Sequence, residues 1–250
     1  MKNIQETHAP SFAQSNVPKK FEPKTETLIA GIKAVTDLGN ISCLVVDFSN
    51  RQVIFQSQTL LYIGNDPADG AGRSCVNPYW SYVPDGIVEL LLLLKRNGLQ
   101  TARKFPLTDY KTHICTTDFP IIIGGKKIFI HQKFKPLMLG PDGEITLGLF
   151  LISSSACEEI ESYIETESGL ILKYNFKNNQ YVKCKERFHL TKTEKTIVAC
   201  LTKKMKTEDI SKELGMSVNT VRKHRRNIYA KLDAHSKDDV IVIANNYHLI

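Results

Sequence analysis

The stretch Leu190–Ala244 reads LTKTEKTIVACLTKKMKTEDISKELGMSVNTVRKHRRNIYAKLDAHSKDDVIVIA, and its apolar spacing lays out a series of short helices. Ile210 and Leu214 stripe one segment, Val221, Ile228 and Leu232 stripe the next, and Gly215-Met216-Ser217 breaks the pattern between them. The spacing predicts two helices meeting at a tight turn. Thr207 is placed to cap the first, and Ser217 to cap the second by accepting from the backbone N–H of Asn219 or Thr220. Gly215 supplies the left-handed residue that ends the first helix.

On a helix turning about 100° per residue, Val221, His224, Ile228 and Leu232 share one face, and Asn219, Lys223, Arg226 and Ala230 share the opposite one. Arg222 projects between the two. Thr220, Asn227 and Lys231 line the other flank, where polar groups grip phosphates beside a groove. Arginine and lysine suit guanine O6 and N7, and Asn219 suits adenine N6 and N7. The competing reading of Arg222-Lys223-His224-Arg225-Arg226 is a merely solvated charged face. Caps, turn and opposed faces all agree on the same helix, which favours a surface that reads duplex DNA. His224, on the apolar side, is read as a packed, hydrogen-bonded core residue rather than a base reader.

The residues L190-T191-x-x-E194, I210-S211-x-x-L214 and S217-x-x-T220-V221-x-x-H224-R225-x-N227-I228-Y229-x-K231-L232 together resemble the LuxR-type helix-turn-helix family. The resemblance covers nearly all of the C-terminal segment. It implies a four-helix domain whose third helix enters the major groove and whose fourth commonly pairs two subunits on a two-fold-symmetric site. By similarity the base-contacting positions fall on Arg222, Lys223 and Arg226, with Thr220 and Lys231 nearer the DNA backbone. Three positions depart from the family pattern: Lys204, where a glycine usually ends the first helix, Ser211, where alanine packs, and Lys237, where arginine is usual. A non-glycine residue with positive φ is uncommon, so Lys204 bears on the geometry of the first turn. Ser211 is expected to bond a carbonyl one turn back.

Thr191 and Glu194 form a capping box for the first helix, whose Ile197, Val198 and Leu201 face its neighbours. The fourth helix should start at Ser236, with Asp238 and Asp239 favourable in its first turn. Its run Val240-Ile241-Val242-Ile243-Ala244 is apolar all round, which suits contact with a second copy in a homodimer or cover by the rest of the chain.

With 250 residues the chain exceeds one typical domain, and its net charge of +7, concentrated between Lys203 and Lys231, suits a polyanionic partner. Six scattered cysteines show no C-x-x-C pair and no zinc-like spacing, so they read as reduced core residues. No signal peptide opens the sequence, and no apolar run approaches the roughly 20 residues that cross a bilayer, so no membrane association and a cytoplasmic location are expected. Residues 1–24 are polar and proline-spaced and read as a flexible leader.

Upstream, ISCLVVDFSNRQVIFQS from Ile41 reads as a hairpin turning at Ser49-Asn50. Leu60 to Ile63 suits a helical turn before a loop from Gly64 to Gly72, and Asp85 to Asn97 a helix stopped by Gly98. Three further runs, Thr112–Ile123, Lys126–Leu139 and Glu144–Ser153, are separated by Gly124-Gly125 and Pro141-Asp142-Gly143 at hairpin spacing. The result is a five-stranded antiparallel sheet with helices after the second strand, similar in element order to a PAS-type sensor over residues 25–155. A phospho-receiver lacks its alternating parallel strands and acidic cluster here, and an autoinducer-binding domain would carry several tryptophans where Trp80 stands alone, so both rank below it.

The aromatic patch Pro78-Tyr79-Trp80-Ser81-Tyr82 reads as ordinary core, with a ligand-pocket wall as the alternative. His113 and Cys115 share a strand face, but no third ligand accompanies them, so no metal site and no cofactor is expected. Between the units, residues 156–186 form a connector: Cys157 to Glu167 looks helical, and Leu170 to Tyr174 with Gln180 to Cys184 looks like a small hairpin.

The fold class is therefore α+β, a PAS-like antiparallel sheet with helices followed by a four-helix LuxR-type helix-turn-helix domain at 187–250. The function expected is a transcription regulator binding double-stranded DNA, the candidates for contact being Asn219, Thr220, Arg222, Lys223, Arg226, Asn227 and Lys231, with a small-molecule effector or protein contact at the N-terminal domain. No nucleophile, base and orienting group occur at a recognisable spacing, so it is not read as an enzyme. The rival reading is an adaptor whose helix-turn-helix binds another regulator.

Overall fold

The structure is a computed structural model that describes residues 23–39, 41–58, 60–63, 78–185 and 187–250. The leader lies almost wholly outside the described residues, as does the loop from Gly64 to Gly72. The leader's last two residues fall in a helix the sequence reading lacks, α1 (Pro23–Gly39), which packs against the first strand.

Among the described residues, eight strands make one antiparallel sheet. β1 (Ser42–Asp47) and β2 (Gln52–Gln56) form the hairpin turning at Asn50, whose backbone N–H and side chain both bond the Asp47 carboxylate. A short 3-10 turn (Pro78–Tyr82), α2 (Asp85–Ala102) and α3 (Leu107–Thr112) follow, then β3 (Ile114–Ile123), β4 (Lys126–Leu139) and β5 (Ile145–Ser154). Their order, β2-β1-β5-β4-β3, is the five-stranded sheet with inserted helices that the sequence predicts. Gly124, Gly125 and Gly143 take the positive φ that the hairpin turns require.

Four expectations of local structure fail, three of them for a tertiary reason. The connector is not helical at Cys157 to Glu167: its Glu161–Glu165 stretch is β6, paired antiparallel with β3. The Glu-rich run looks helical in isolation, but the open edge of β3 offers a ladder, and the alternation of Ser162 and Ile164 with Tyr163 fits it. The hairpin β7 (Ile171–Asn175) and β8 (Gln180–Cys184) then extends this edge, so the sheet has eight strands, not five. Gly98 does not stop α2, which runs to Ala102, because Leu91, Leu94, Gly98 and Ala102 form one buried stripe. Leu60 and Ile63 close a turn by a β-bridge rather than a helical one.

One face of the sheet carries Leu44, Phe119, Ile121, Ile130, Phe150 and Ile152, packed with Leu91 and Leu94 of α2 and with Tyr79. Tyr79 is fully buried and donates to the carbonyl of Leu61 at 2.6 Å, so the aromatic patch contributes core there. His113 caps the end of α3 rather than sharing a strand with Cys115, and its Nδ1 meets the carbonyl of Tyr110 at 2.6 Å. No group of three potential metal ligands occurs among the described residues.

The C-terminal part is four helices: α4 (Lys192–Thr202), α5 (Thr207–Glu213), α6 (Val218–Leu232) and α7 (Lys237–Asn246). Ile197, Val198, Leu201, Ile210, Val221, Ile228 and Val240 are completely buried in a second core. Among the described residues no helix is long and apolar enough to cross a membrane.

Candidate nucleic-acid interface

The geometry begins with caps. Thr191 accepts from Glu194 N–H while the Glu194 carboxylate accepts from Thr191 N–H at 2.8 Å, the reciprocal box expected at the start of α4. Ser217 starts α6 by accepting from Thr220 N–H at 3.1 Å, and Ser236 starts α7 with Asp239 in a second box. Gly215 takes φ +61° at the end of α5, and Lys204 takes φ +60° where glycine would be unstrained. Thr207 does not cap α5: it is that helix's first residue, and its hydroxyl accepts from Arg225 at 2.5 Å. Ser211 donates forward to the carbonyl of Met216 at 2.5 Å, not back by one turn, because the turn folds that carbonyl over it.

These contacts set α6 against α5. Val221, Ile228 and Leu232 anchor its inner side, and Arg225 bridges Thr207 to the Tyr229 hydroxyl at 2.9 Å, so this arginine positions the two helices rather than facing outward. His224 is half-buried, and its Nδ1 has no hydrogen-bond partner, which corrects the expected hydrogen-bonded core histidine.

Asn219, Thr220, Arg222, Lys223, Arg226, Asn227 and Lys231 are all exposed. The structure brings the first six together as one outward surface. No ion pair occupies Lys223 or Arg226 among the described residues. Arg222 lies 3.9 Å from Glu208 with both side chains well exposed, a pair worth little in water. Thr220 shares its hydroxyl with Ser217 at 2.9 Å.

Lys231 is placed differently. Its ammonium donates to Glu194 at 2.7 Å, and the glutamate side chain is only 3% exposed. Burial opposes ionisation of Glu194, but the hydrogen bonds from Lys231 and Thr191 outweigh it and hold the carboxyl below its ordinary value. Lys231 thus ties α6 to the cap of α4.

Sequence reasoning missed this tie, the role of Arg225, and a cluster joining the two halves of the molecule through Asp118, His131, Arg187, Asn246 and Tyr247. The Thr191–Glu194 box was readable from spacing. Contacts between residues far apart in sequence leave no local signal.

Residues 189–244 match the family described as bacterial regulatory proteins, luxR family. No curated protein matches the chain. Among solved structures, the VqmA dimer of Vibrio cholerae determined without target DNA is 15% identical, with 88% of each chain covered and a TM-score of 0.31. A phage VqmA bound to DPO is 11% identical over 90% of this chain and 91% of that one, with a TM-score of 0.31. Vibrio cholerae VqmA with ligand and DNA is 14% identical over 93% of this chain and 90% of that one, with a TM-score of 0.30. Scores this low carry no property over to this chain.

Proposed function

With residues 189–244 a helix-turn-helix domain of the luxR family of bacterial regulatory proteins, we propose that this chain regulates transcription by laying the outward face of α6 into the major groove of duplex DNA. One observation carries the reading: the basic face stays exposed although the domain is docked on the rest of the chain. Arg222, Lys223 and Arg226 are assigned to base edges together with Asn219, and Thr220 and Asn227 to the flanking phosphates. Lys231, held by Glu194, acts at the backbone only by exchanging that partner.

The remaining assignments belong to the same proposal. The chain acts in the cytoplasm as a homodimer on a two-fold-symmetric site, through the half-buried Ile241 and Val242 of α7. The sheet and helices from about residue 25 form a PAS-like unit that senses a small molecule or contacts another protein, and the DNA-binding unit begins near Arg187.

Selecting duplexes from a random pool with the purified full chain tests it. A palindromic winner supports both groove reading and symmetry. Its affinity should fall steeply with salt, with a log–log slope of about −0.9 per phosphate neutralised. Failure to select any sequence, with salt-insensitive binding to a protein partner instead, establishes the adaptor reading.

A further inference from the structure

The sheet face opposite the sensor core carries a fully buried carboxylate, Asp118 on β3. Four groups converge on it. Oδ1 accepts from the Ser155 hydroxyl at 2.6 Å and from His131 Nδ1 at 2.8 Å. Oδ2 accepts from Arg187 at 2.9 Å and from the Tyr247 hydroxyl at 2.7 Å. Arg187 also reaches Glu161 at 3.3 Å, and its guanidinium is sandwiched between the rings of Tyr163 and Tyr247, 3.6 Å from each centroid. Beside this, Asn246 accepts from Ser153 at 2.7 Å and donates to the carbonyl of Ser154 at 2.7 Å.

The connectivity gives the cluster its meaning. Arg187 lies just before α4 and Tyr247 just after α7, so the entry and the exit of the helix-turn-helix domain are fastened to the same carboxylate. Two fixed ends on one rigid strand allow the domain one orientation. Phe119, next to Asp118 on β3, and Ile121 two residues further on belong to the sensor core on the opposite face, so a displacement of this strand from the core side reaches the fastening directly.

The cluster is also incomplete. Nε2 of His131 and Nε of Arg187 are buried with no hydrogen-bond partner, a cost that separation into water would remove. A contact strong in charge yet carrying two orphaned donors or acceptors is suited to opening.

We propose that the Asp118–His131–Arg187–Tyr247 cluster is an interdomain latch that holds the DNA-binding domain in one orientation on the sensor sheet and can release it without unfolding either unit. This rests on the proposed function only for its consequence in DNA binding; the latch itself is tested separately.

Limited trypsin digestion of the full chain reads it, because Arg187 is sequestered while latched and becomes a cleavage site when released. Tyr247→Phe removes the hydroxyl that joins Asp118, His131 and Arg187 while keeping the ring, and Asp118→Asn keeps the shape and removes the charge. In both, cleavage after Arg187 should accelerate about tenfold, the population change of one lost charge-assisted hydrogen bond, with cleavage after Lys195 and Lys203 in α4 and its end unchanged. Unchanged cleavage after Arg187 in Tyr247→Phe overturns the latch, and so does equal acceleration at all three positions, which marks general destabilisation. Should Asp118→Asn fail to fold, the Tyr247→Phe result decides alone. Binding of a single half-site duplex should be unaltered in Tyr247→Phe, since the reading face is already exposed. A wild-type chain that selects no duplex sinks the proposed function and leaves the proteolysis result standing.

Discussion

At the scale of single residues, exposure on α6 separates the proposed base readers from Arg225, which is tied to its neighbours. Lys223 and Arg226 stand free on the outer face while Arg225, equally basic, is spent on Thr207 and Tyr229. Lys223→Ala and Arg226→Ala should each weaken binding to the selected duplex by about 1–3 kcal/mol and relax preference at one base position, as read by competition with single-base variants. Equal binding to every variant by the wild type would remove both from the base-reading set. Lys204 offers a second test. Its φ of +60° costs a residue with a Cβ roughly 1 kcal/mol, so Lys204→Gly should raise the melting temperature of the C-terminal domain. No gain would mean that the side chain repays its strain elsewhere.

At the scale of elements, caps and cross-ties decide how helices meet. Glu194 closes the α4 box and holds Lys231 of α6, so Glu194→Gln should cost about 1–2 kcal/mol at neutral pH, measured by denaturant melts. The sign with pH follows from its depressed value. The ionised form stabilises the fold above the ordinary carboxylate range, and that stability is lost as pH falls through the folded value. The difference between wild type and Glu194→Gln should therefore shrink in acid; a constant difference would show that charge plays no part. Elements also explain which readings went astray. Local propensity marked Gly98 as a stop and Cys157–Glu167 as helical, but a buried stripe on α2 and the open edge of β3 outweighed it. Propensity differences are about 1 kcal/mol, and burial of a stripe or pairing of an edge exceeds that.

At the scale of the whole molecule, the buried face between sheet and helices should respond to acid. His131 is held below its ordinary value chiefly by burial, with Arg187 and Lys133 adding to this and Asp118 opposing it. Since a carboxylate only accepts, its Nδ1 carries the proton and Nε2 is bare. For a base depressed in the fold, the unfolded chain binds the proton first, so stability falls as pH drops through the ordinary histidine range near about 6.5. His113, depressed likewise by burial, contributes in the same window. His131→Asn should flatten part of the decline in melting temperature between neutral and mildly acidic pH, and an unaltered slope would assign it all to other groups.

The helix-turn-helix was legible because its information is local: period, caps, turn glycine and opposed faces lie within a few residues of one another, so spacing alone names the helix and its exposed basic face. The five-strand order was legible for the same reason, through turn signals at hairpin spacing. The continuation to eight strands, the ties of Lys231 to Glu194 and of Arg225 to Thr207 and Tyr229, and the convergence of Asp118, His131, Arg187 and Tyr247 were not. Each depends on groups brought together across long stretches of chain, where a buried charge or an open strand edge takes whichever partner the packing delivers, and no local pattern records which one that will be.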